Sequence, residues 1–415
     1  MLNNIKLGII ADDFTGAGDA ASFLDKSGMK TILYTKIPNE IKEDCECVVI
    51  ALKIRSVKPE FAIRQVAEAL KFFKNNHINT IYYKYCSTFD STPKGNIGVV
   101  LDFLLEELKI QYSIICPSLP INGRKVQDGV LYVDDVPLAQ SPLKDHPLNP
   151  MWDSYIPTLM KEQSKYPCYV ITKDEMSEKK LDNIIKIYKL NNDKFYLIPD
   201  YIDDNDGIII GKYFNKNRLL SGGSGLLEHL FSKKIEILKK DEEKHNNIKK
   251  EIILCGSCSK MTKKQIEYYK NIGGLTYAVD SKKLLSGELN TEKVFKKVLE
   301  NKSHAMLIYS DAINRDMTVL SKSKTFNIES QLVEKLMASL SILAIKNKFD
   351  TIVVAGGETS GAVTLKLGYD AYAIGRVIAP GVPTMIPLKN KKLNLILKSG
   401  NFGQEDFFEK AVERV

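Results

Sequence analysis

The sequence predicts an α/β protein of two domains, each with a mostly parallel sheet, and three observations carry that prediction. Short β-branched runs alternate with amphipathic stretches along most of the 415 residues. Several of those runs are almost continuously apolar, as strands covered by helices on both faces require. The series also restarts after one very polar segment, "FSKKIEILKKDEEKHNNIKKE" (231–251).

In chain order, "KLGII", "KTILYT", "CVVIAL", "TIYYKY", "YSIICP" and "CYVIT" read as strands. "FAIRQVAEALKFFK" and "GNIGVVLDFLLEEL" carry apolar residues at helical spacing between them. "GVLYVDDVPLA" breaks the rhythm, and its two short apolar runs around Asp134-Asp135 read as a hairpin. The second series holds "EIILCGS", a helix over 261–271, "LTYAVD", "HAMLIYS", a long helix near 329–347, "DTIVVAGG" and "LILKSG". The domains expected are 1–235 and 251–415, joined by a polar linker at 236–250, with the active site in the cleft between them. No internal repeat is visible.

Hydrophobic residues make up 44% and charged residues 27%, which is the composition of a chain with a large core. The net charge of +8 comes mainly from 52 lysines dispersed over helix faces, and no nucleic-acid-binding motif accompanies them. A small anionic substrate suits a mild basic excess better. The odd set of seven cysteines lies partly inside apolar runs and lacks neighbouring histidines, so reduced buried thiols are expected. Acidic residues follow the first short apolar run at once, unlike a signal peptide, and no apolar stretch approaches the roughly 20 residues of a membrane span. A cytoplasmic protein without membrane or nucleic-acid partners is therefore expected, and a homo-oligomer stays open.

Three turns in the second domain suit phosphate. "DTIVVAGGETSGAV" runs from a buried strand into Gly356 and Gly357, and Glu358, Thr359 and Ser360 open a helix. Glycines let the backbone approach an anion, and free N–H groups at a helix start point at it. The glycine spacing resembles a P-loop, yet Ala362 and Val363 stand where Lys and Ser/Thr belong. "EIILCGSCSKMT" contributes Ser257 and Ser259, and "LILKSGNFGQEDFF" contributes Lys398, Ser399, Gly400, Asn401 and Gly403. In a parallel sheet such turns gather at the carboxyl ends of the strands.

The first domain carries a different chemistry. "ADDFTGAGDAA" contains Gly16-x-Gly18-x-x-Ala21, a match to a dinucleotide fingerprint, with Glu40 near the distance of a ribose-binding acid. However, Asp12, Asp13, Phe14 and Thr15 intervene where the first glycine should close the strand. Asp12 and Asp13 are placed for hydroxyl binding, proton abstraction or metal coordination, whereas Asp19 fits a helix-dipole role. Lys84, Ser87, Asp90, Ser91, Lys94, Gly95 and Asn96 crowd one turn after a strand. "PSLPINGRKVQDG" adds Asn122, Gly123 and Arg124, while "ALKIRSV" adds Lys53 and Arg55. Arginine occurs only seven times, and a guanidinium at such a strand end is suited to a bidentate grip on a carboxylate. Together these residues describe a pocket for a small, anionic, hydroxylated molecule.

With those pieces, the chain resembles the four-carbon acid sugar kinases. The matching stretches are "ADDFTGA", "ALKIRS", "KYCSTFDSTPKGNIG", "PSLPINGRKVQDGVLYVDDVPLAQSPLKDHPLNP", "GSCS", "GGETSGAV" and "LKSGNFG", which span residue 10 to about 403. The resemblance implies a sugar-acid domain followed by an ATP-binding domain, with ATP and Mg2+ as cofactors. It places Ser257, Gly357 to Ser360 and the "SGNFG" turn on ATP, and Asp12, Asp13, Arg55, Lys84, Asp90, Ser91 and Asn122 on the sugar acid. Thr92-Pro93-Lys94 before Gly95 implies a 3-oxo-tetronate as the substrate phosphorylated at its terminal hydroxyl; the threonate and erythronate enzymes tend to carry Leu-Arg-Gly there. Asp13 or Asp12 is the expected base, with Asp90 in reserve, and the metal ligands are unassigned. Threonate or erythronate phosphorylation, an NAD-dependent dehydrogenase and a sugar-acid sensor remain the competing readings.

Overall fold

The computed structural model describes residues 5–145, 149–231, 250–301, 305–314 and 324–412. The chain divides into two compact units, Met1–Leu238 and Lys239–Val415. The polar linker expected at 236–250 lies, apart from its last residue, outside the described residues. Among the described residues no helix is long and apolar enough to cross a membrane.

The first unit is built on a parallel sheet of five strands. These are β1 (Leu7–Ala11), β2 (Thr31–Tyr34), β3 (Cys47–Ala51), β4 (Ile81–Lys84) and, much later in the chain, β11 (Leu219–Gly222). They stand in the order β11-β4-β1-β3-β2. Every residue of these strands is buried, which is why their sequences are continuous rather than alternating. The helices expected from periodicity form at Pro59–Asn75 and Ile97–Glu107. In register, Ala11 lies beside Ala51 on one side and Lys84 on the other, and Lys84 lies beside Gly222. Four strands thus end level, and the loops after them converge.

"YSIICP" does not join that sheet. It supplies β5 (Tyr112–Ile114) to a second parallel sheet with β9 (Cys168–Ile171) and β10 (Phe195–Pro199), in the order β5-β10-β9. The expected hairpin forms from β7 (Val130–Val133) and β8 (Val136–Pro137), and β6 (Arg124–Gln127) adds a third antiparallel strand beside β7. Asp134 and Asp135 between β7 and β8 have φ of 50° and 65°, both left-handed, as the tight turns that match strand twist require.

The second unit contains β12 (Glu251–Cys255), β13 (Leu275–Val279), β14 (Met306–Ser310), β15 (Thr351–Ala355), β16 (Ala371–Ala379), β17 (Val382–Pro387) and β18 (Asn394–Lys398). Strands β13-β14-β12-β15-β18 are parallel, while β17 runs antiparallel to both β18 and β16. Ile253, Val353 and Ile396 from the central strands pack with Phe407 and Phe408 of the last helix (Phe407–Val412). Cys255 pairs with Ala355, which pairs with Lys398, and Cys255 also pairs with Tyr309. The three phosphate-type turns of the sequence therefore leave adjacent strands at one level.

Candidate active site

In the first unit the strand ends assemble a charge cluster around Arg55. Asp12 follows β1 directly, and its backbone N–H donates to the Lys84 carbonyl at 3.0 Å. The backbone N–H of Ile54 donates to the Asp12 carbonyl at 3.1 Å, which carries the Arg55 loop to the same place. Arg55 Nε and Nη2 then donate to Asp12 Oδ2 and Oδ1, each at 2.8 Å. Its Nη1 lies 3.1 Å from Asp13 Oδ2 and 3.3 Å from Asp90 Oδ2. The bidentate grip expected of Arg55 exists, and its partner is the protein's own carboxylate.

Electrostatics follow from that arrangement. Burial pushes the Asp12 carboxyl up, opposed by the Arg55 charge and hydrogen bonds. Burial works against the Arg55 guanidinium, but Asp12 and Asp13 outweigh it and drive its pKa well above the ordinary value. The Asp12 side chain is 3% exposed and the Asp13 side chain 30%, so only the second is open to a substrate.

Asp13 also settles the superficial dinucleotide fingerprint. It caps the helix Phe14–Lys26, with Oδ1 accepting from the Gly16 N–H at 2.7 Å. Gly16 and Gly18 both lie inside that helix rather than in a turn before it. A carboxylate occupies the helix start where a pyrophosphate would have to sit, which is geometry against NAD. Gly16 instead gives room: a Cβ there would lie 2.4 Å from Asp13 Oδ1 and 3.3 Å from Lys84 Nζ.

Lys84 is buried at the end of β4, where Nζ donates to the Tyr85 carbonyl at 3.0 Å and lies 3.3 Å from Asp19 Oδ2. The same Asp19 oxygen accepts from Ser224 Oγ at 2.6 Å. Burial pushes the Asp19 carboxyl up, while Lys84 and the Ser224 hydrogen bond pull it back. Asp19, read from sequence as a helix-dipole residue, is thus the counter-ion of Lys84. Ser224 lies in the glycine-serine turn Gly222-Gly223-Ser224-Gly225 at the end of β11, a turn whose residues carry no sign of their own that a carboxylate sits beside them.

The remaining residues of the expected pocket divide into contacts and supports. Asn96 Nδ2 donates to the carbonyls of Ile54 at 2.6 Å and Val57 at 2.9 Å, so it holds the Arg55 loop. Ser91 Oγ donates to Gln163 Oε1 at 3.1 Å, and a Cβ on Gly95 would meet that Oγ at 1.8 Å. Ser87 stands against the backbone beside Gly223. Asn122, Gly123 and Arg124 form the entry to the hairpin: Arg124 Nη1 donates to the Asn122 carbonyl, and Gly123 has a φ of 75° with Asp134 packed against it. Their backbone hydrogen bonds run to Leu119, Pro120 and Asp134, and among the described residues none reaches the Arg55 cluster.

In the second unit a pocket of about 250 Å3 opens at the strand ends, lined by Ser257, Gly356, Gly357, Glu358, Thr359 and Gly400, with Ser281, Ser310, Glu329 and Glu334 opposite. Gly356 caps the helix Gly357–Leu367 with a φ of 120°, and a Cβ there would lie 3.0 Å from the Ser257 nitrogen. Gly357 has nothing within 4 Å of its Cβ position, so its backbone faces open space. Ser360 Oγ is buried without a hydrogen-bond partner among the described residues. An open helix N-terminus, hydroxyls and glycine backbone suit phosphate oxygens. Ser259 and Gly403 stand behind the pocket. Ser259 caps its own helix by accepting from the Thr262 N–H at 3.1 Å, and Gly403 turns at a φ of 79° against Phe407.

The carbonyl of Gly400 is approached by Ser259 Oγ at 2.6 Å, Thr262 Oγ1 at 2.9 Å and Lys398 Nζ at 3.0 Å. Lys398 is fully buried, and burial holds its pKa down to about 8. Thr262, Ser281, Glu329 and Glu334 carry no motif, because isolated polar residues on helices read in sequence as solvated side chains. Among the described residues no cluster of three or more His, Cys, Asp or Glu is arranged to hold a metal.

Comparison with known proteins agrees with this division of chemistry. Residues 7–230 match the model of a sugar-binding N-terminal domain, and residues 252–408 that of a nucleotide-binding C-terminal domain. A 3-oxo-tetronate kinase of Salmonella typhimurium is 37% identical over 98% of each chain, and one of Haemophilus influenzae is 34% identical over 98% of each chain. A crystal structure from Salmonella typhimurium LT2, provisionally described as a tRNA synthase, is 36% identical with a TM-score of 0.87 over 98% of this chain and 99% of that one. A Haemophilus influenzae structure is 34% identical with a TM-score of 0.78 over 97% and 98%. With two domain models and near full-length relatives in agreement, the chain belongs to the four-carbon acid sugar kinase family.

Proposed function

We propose that this protein is a cytoplasmic kinase that transfers the γ-phosphoryl group of ATP to the terminal hydroxyl of a 3-oxo-tetronate, giving the 4-phosphate. The observation that carries the acceptor half is the Arg55 cluster, in which one guanidinium from the loop after β3 holds Asp12 and Asp13 after β1 and Asp90 after β4. Phosphoryl transfer is chiefly positioning and charge stabilisation, with a base to accept the hydroxyl proton. Asp13 is that base. Asp12 has both oxygens engaged by Arg55 and is closed to solvent, whereas Asp13 is partly open and its carboxylate is oriented by the Gly16 N–H and Arg55. Arg55 and Lys84 are both engaged by carboxylates of the protein, and Lys84, 3% exposed beside Asp19, supports the cluster in which Asp13 is held.

Ser257, Gly356, Gly357, Thr359 and Gly400 hold the phosphates of ATP in the second unit. Mg2+ in such sites takes one or two carboxylates and otherwise phosphate oxygens and water. Glu334 and Glu358 fit that need. Burial and the neighbouring Glu358 charge raise the Glu334 pKa, a repulsion that a divalent cation relieves. Mg2+ supplies charge neutralisation of the transferring phosphoryl group when bound.

The test is ADP release measured over a panel of four-carbon acids, with stereoisomers side by side. Activity confined to threonate or erythronate would replace the substrate, and no ADP release with any of them would leave a non-catalytic binder. Within the active enzyme, Asp13→Asn should lower kcat by about 10²–10⁴ while leaving ATP binding intact. A loss of only a few-fold would remove Asp13 as the base.

A further inference from the structure

Lys398 is the one described lysine of the second unit that is fully buried at a strand end, and no carboxylate stands beside it among the described residues. Its Nζ donates to the carbonyls of Ser399 and Gly400 at 3.0 Å each and approaches Thr262 Oγ1 at 3.1 Å. From the last helix the Phe407 ring covers it at 5.7 Å. From β12 it faces the Cys255 thiol, which burial pushes up to about 12, so that group is neutral at physiological pH. Dipoles solvate this ammonium, but no carboxylate offsets its charge among the described residues. Lys84, equally buried in the first unit, has Asp19 at 3.3 Å.

An ammonium removed from water without a counter-ion is costly, and such groups either lose their proton or find an anion. The adjoining pocket is where an anion would arrive, since Gly400 lines it and Lys398 grips the Gly400 carbonyl. We propose that Lys398 is a positioning residue whose missing counter-ion is the nucleotide phosphate, so that nucleotide binding and protonation of Lys398 are coupled. This rests on the reading of the second unit as the ATP site. Lys398 does not line the pocket. It acts through the Gly400 turn and through its field, holding that turn in place when charged and drawing the phosphates toward it.

The sign of the coupling follows from linkage. Burial lowers the Lys398 pKa to about 8 in the free protein, so above that pH the group is largely neutral. A bound polyanion favours the charged form, so binding above pH 8 takes up a proton, and affinity falls as pH rises. The phosphates of ADP are already fully ionised there and contribute no proton of their own.

The experiment is calorimetric titration of the full chain with ADP, without metal, at pH 8.5 in two buffers of different ionisation enthalpy. Wild type should take up about 0.5–0.8 proton per ADP, and its Kd should rise toward tenfold per pH unit between pH 8 and 10. Lys398→Arg, which keeps its charge at every pH tested, should bind ADP with no uptake and a flat profile over that range. Lys398→Met should lose at least tenfold in affinity at pH 7 and also show no uptake. A merely structural lysine would lower affinity equally at all pH values and leave wild type without proton uptake. ADP binding without uptake, or uptake that persists in Lys398→Arg, overturns the inference. No ADP binding by folded wild type overturns the nucleotide reading itself, and the wild-type measurement needs no variant to fold.

Discussion

The strand ends of the two units handle buried charge in opposite ways. In the first, two cations, Arg55 and Lys84, are surrounded by the four carboxylates of Asp12, Asp13, Asp19 and Asp90. In the second, Lys398 meets two carbonyls, the Thr262 hydroxyl, the Cys255 thiol and the Phe407 ring, with no carboxylate beside it among the described residues. The first arrangement is complete without a ligand and fixes side chains in place, as a site for proton removal and hydroxyl orientation needs. The second leaves positive charge and open N–H groups for an anion. The contrast teaches that the strand ends of the first unit are organised by internal ion pairs, whereas the second keeps a buried cation that only dipoles solvate among the described residues.

The comparison breaks most severely at Arg55. Arg55→Met should abolish measurable kinase activity and cost about 3–5 kcal/mol in chemical denaturation, because Asp12 is left buried and unpaired. The Asp12 carboxyl is already raised by burial, and a raised acid costs stability once pH exceeds its unfolded value. Part of the loss should therefore return as pH falls from 7 toward 5. A variant equally destabilised at both pH values would show that Asp12 is not the source.

Ser224→Ala probes the Lys84 side of the same cluster. Removing the hydroxyl from a buried carboxylate should cost about 1.5–3 kcal/mol. The KM for the sugar acid should rise more than the KM for ATP, since Asp19 then loses one of the two groups that orient it beside Lys84. Equal effects on both substrates would detach Ser224 from the acceptor half.

In the nucleotide half, Gly356→Ala places a Cβ at a φ of 120° and 3.0 Å from the Ser257 nitrogen. Strain of this kind costs about 1–3 kcal/mol. It should appear as weaker ATP binding with the sugar-acid KM unchanged, measured by steady-state kinetics with each substrate varied. The smallest effect concerns the thiols. Burial pushes Cys45 and Cys255 to about 12, so at pH 8 only about 10⁻⁴ of each is thiolate. Native protein should leave both unmodified by iodoacetamide at pH 8 under conditions that label them in denaturant, as read by mass spectrometry.

Much of this was legible in sequence where the signal is local. β1, β3, β4 and β12 are continuous apolar runs because both faces are covered, and their ends are marked by the turns that follow. Gly356, Gly357 and Thr359 could be placed at a strand end and a helix start from a buried apolar run followed by two glycines. What fell outside was long-range. Asp19 and Ser224 are 205 residues apart, and nothing near Ser224 hints at a carboxylate. Asn96 sits in a dense polar turn that reads as a pocket, yet its amide nitrogen is committed to the Ile54 and Val57 carbonyls.

The sequence by itself determined which residues stand at the strand ends, because hydrophobic patterning and turn chemistry act over a few neighbours. It thereby determined the two chemistries, carboxylates in one unit and glycines with hydroxyls in the other. Tertiary structure alone decided which charges meet. Strand register sets Ala11, Ala51, Lys84 and Gly222 level, so that Arg55 closes on Asp12 and Lys84 on Asp19. It likewise sets Cys255, Ala355 and Lys398 level and leaves Lys398 without a carboxylate. Charge pairing falls off with distance through space, and distance along the chain carries almost no information about it.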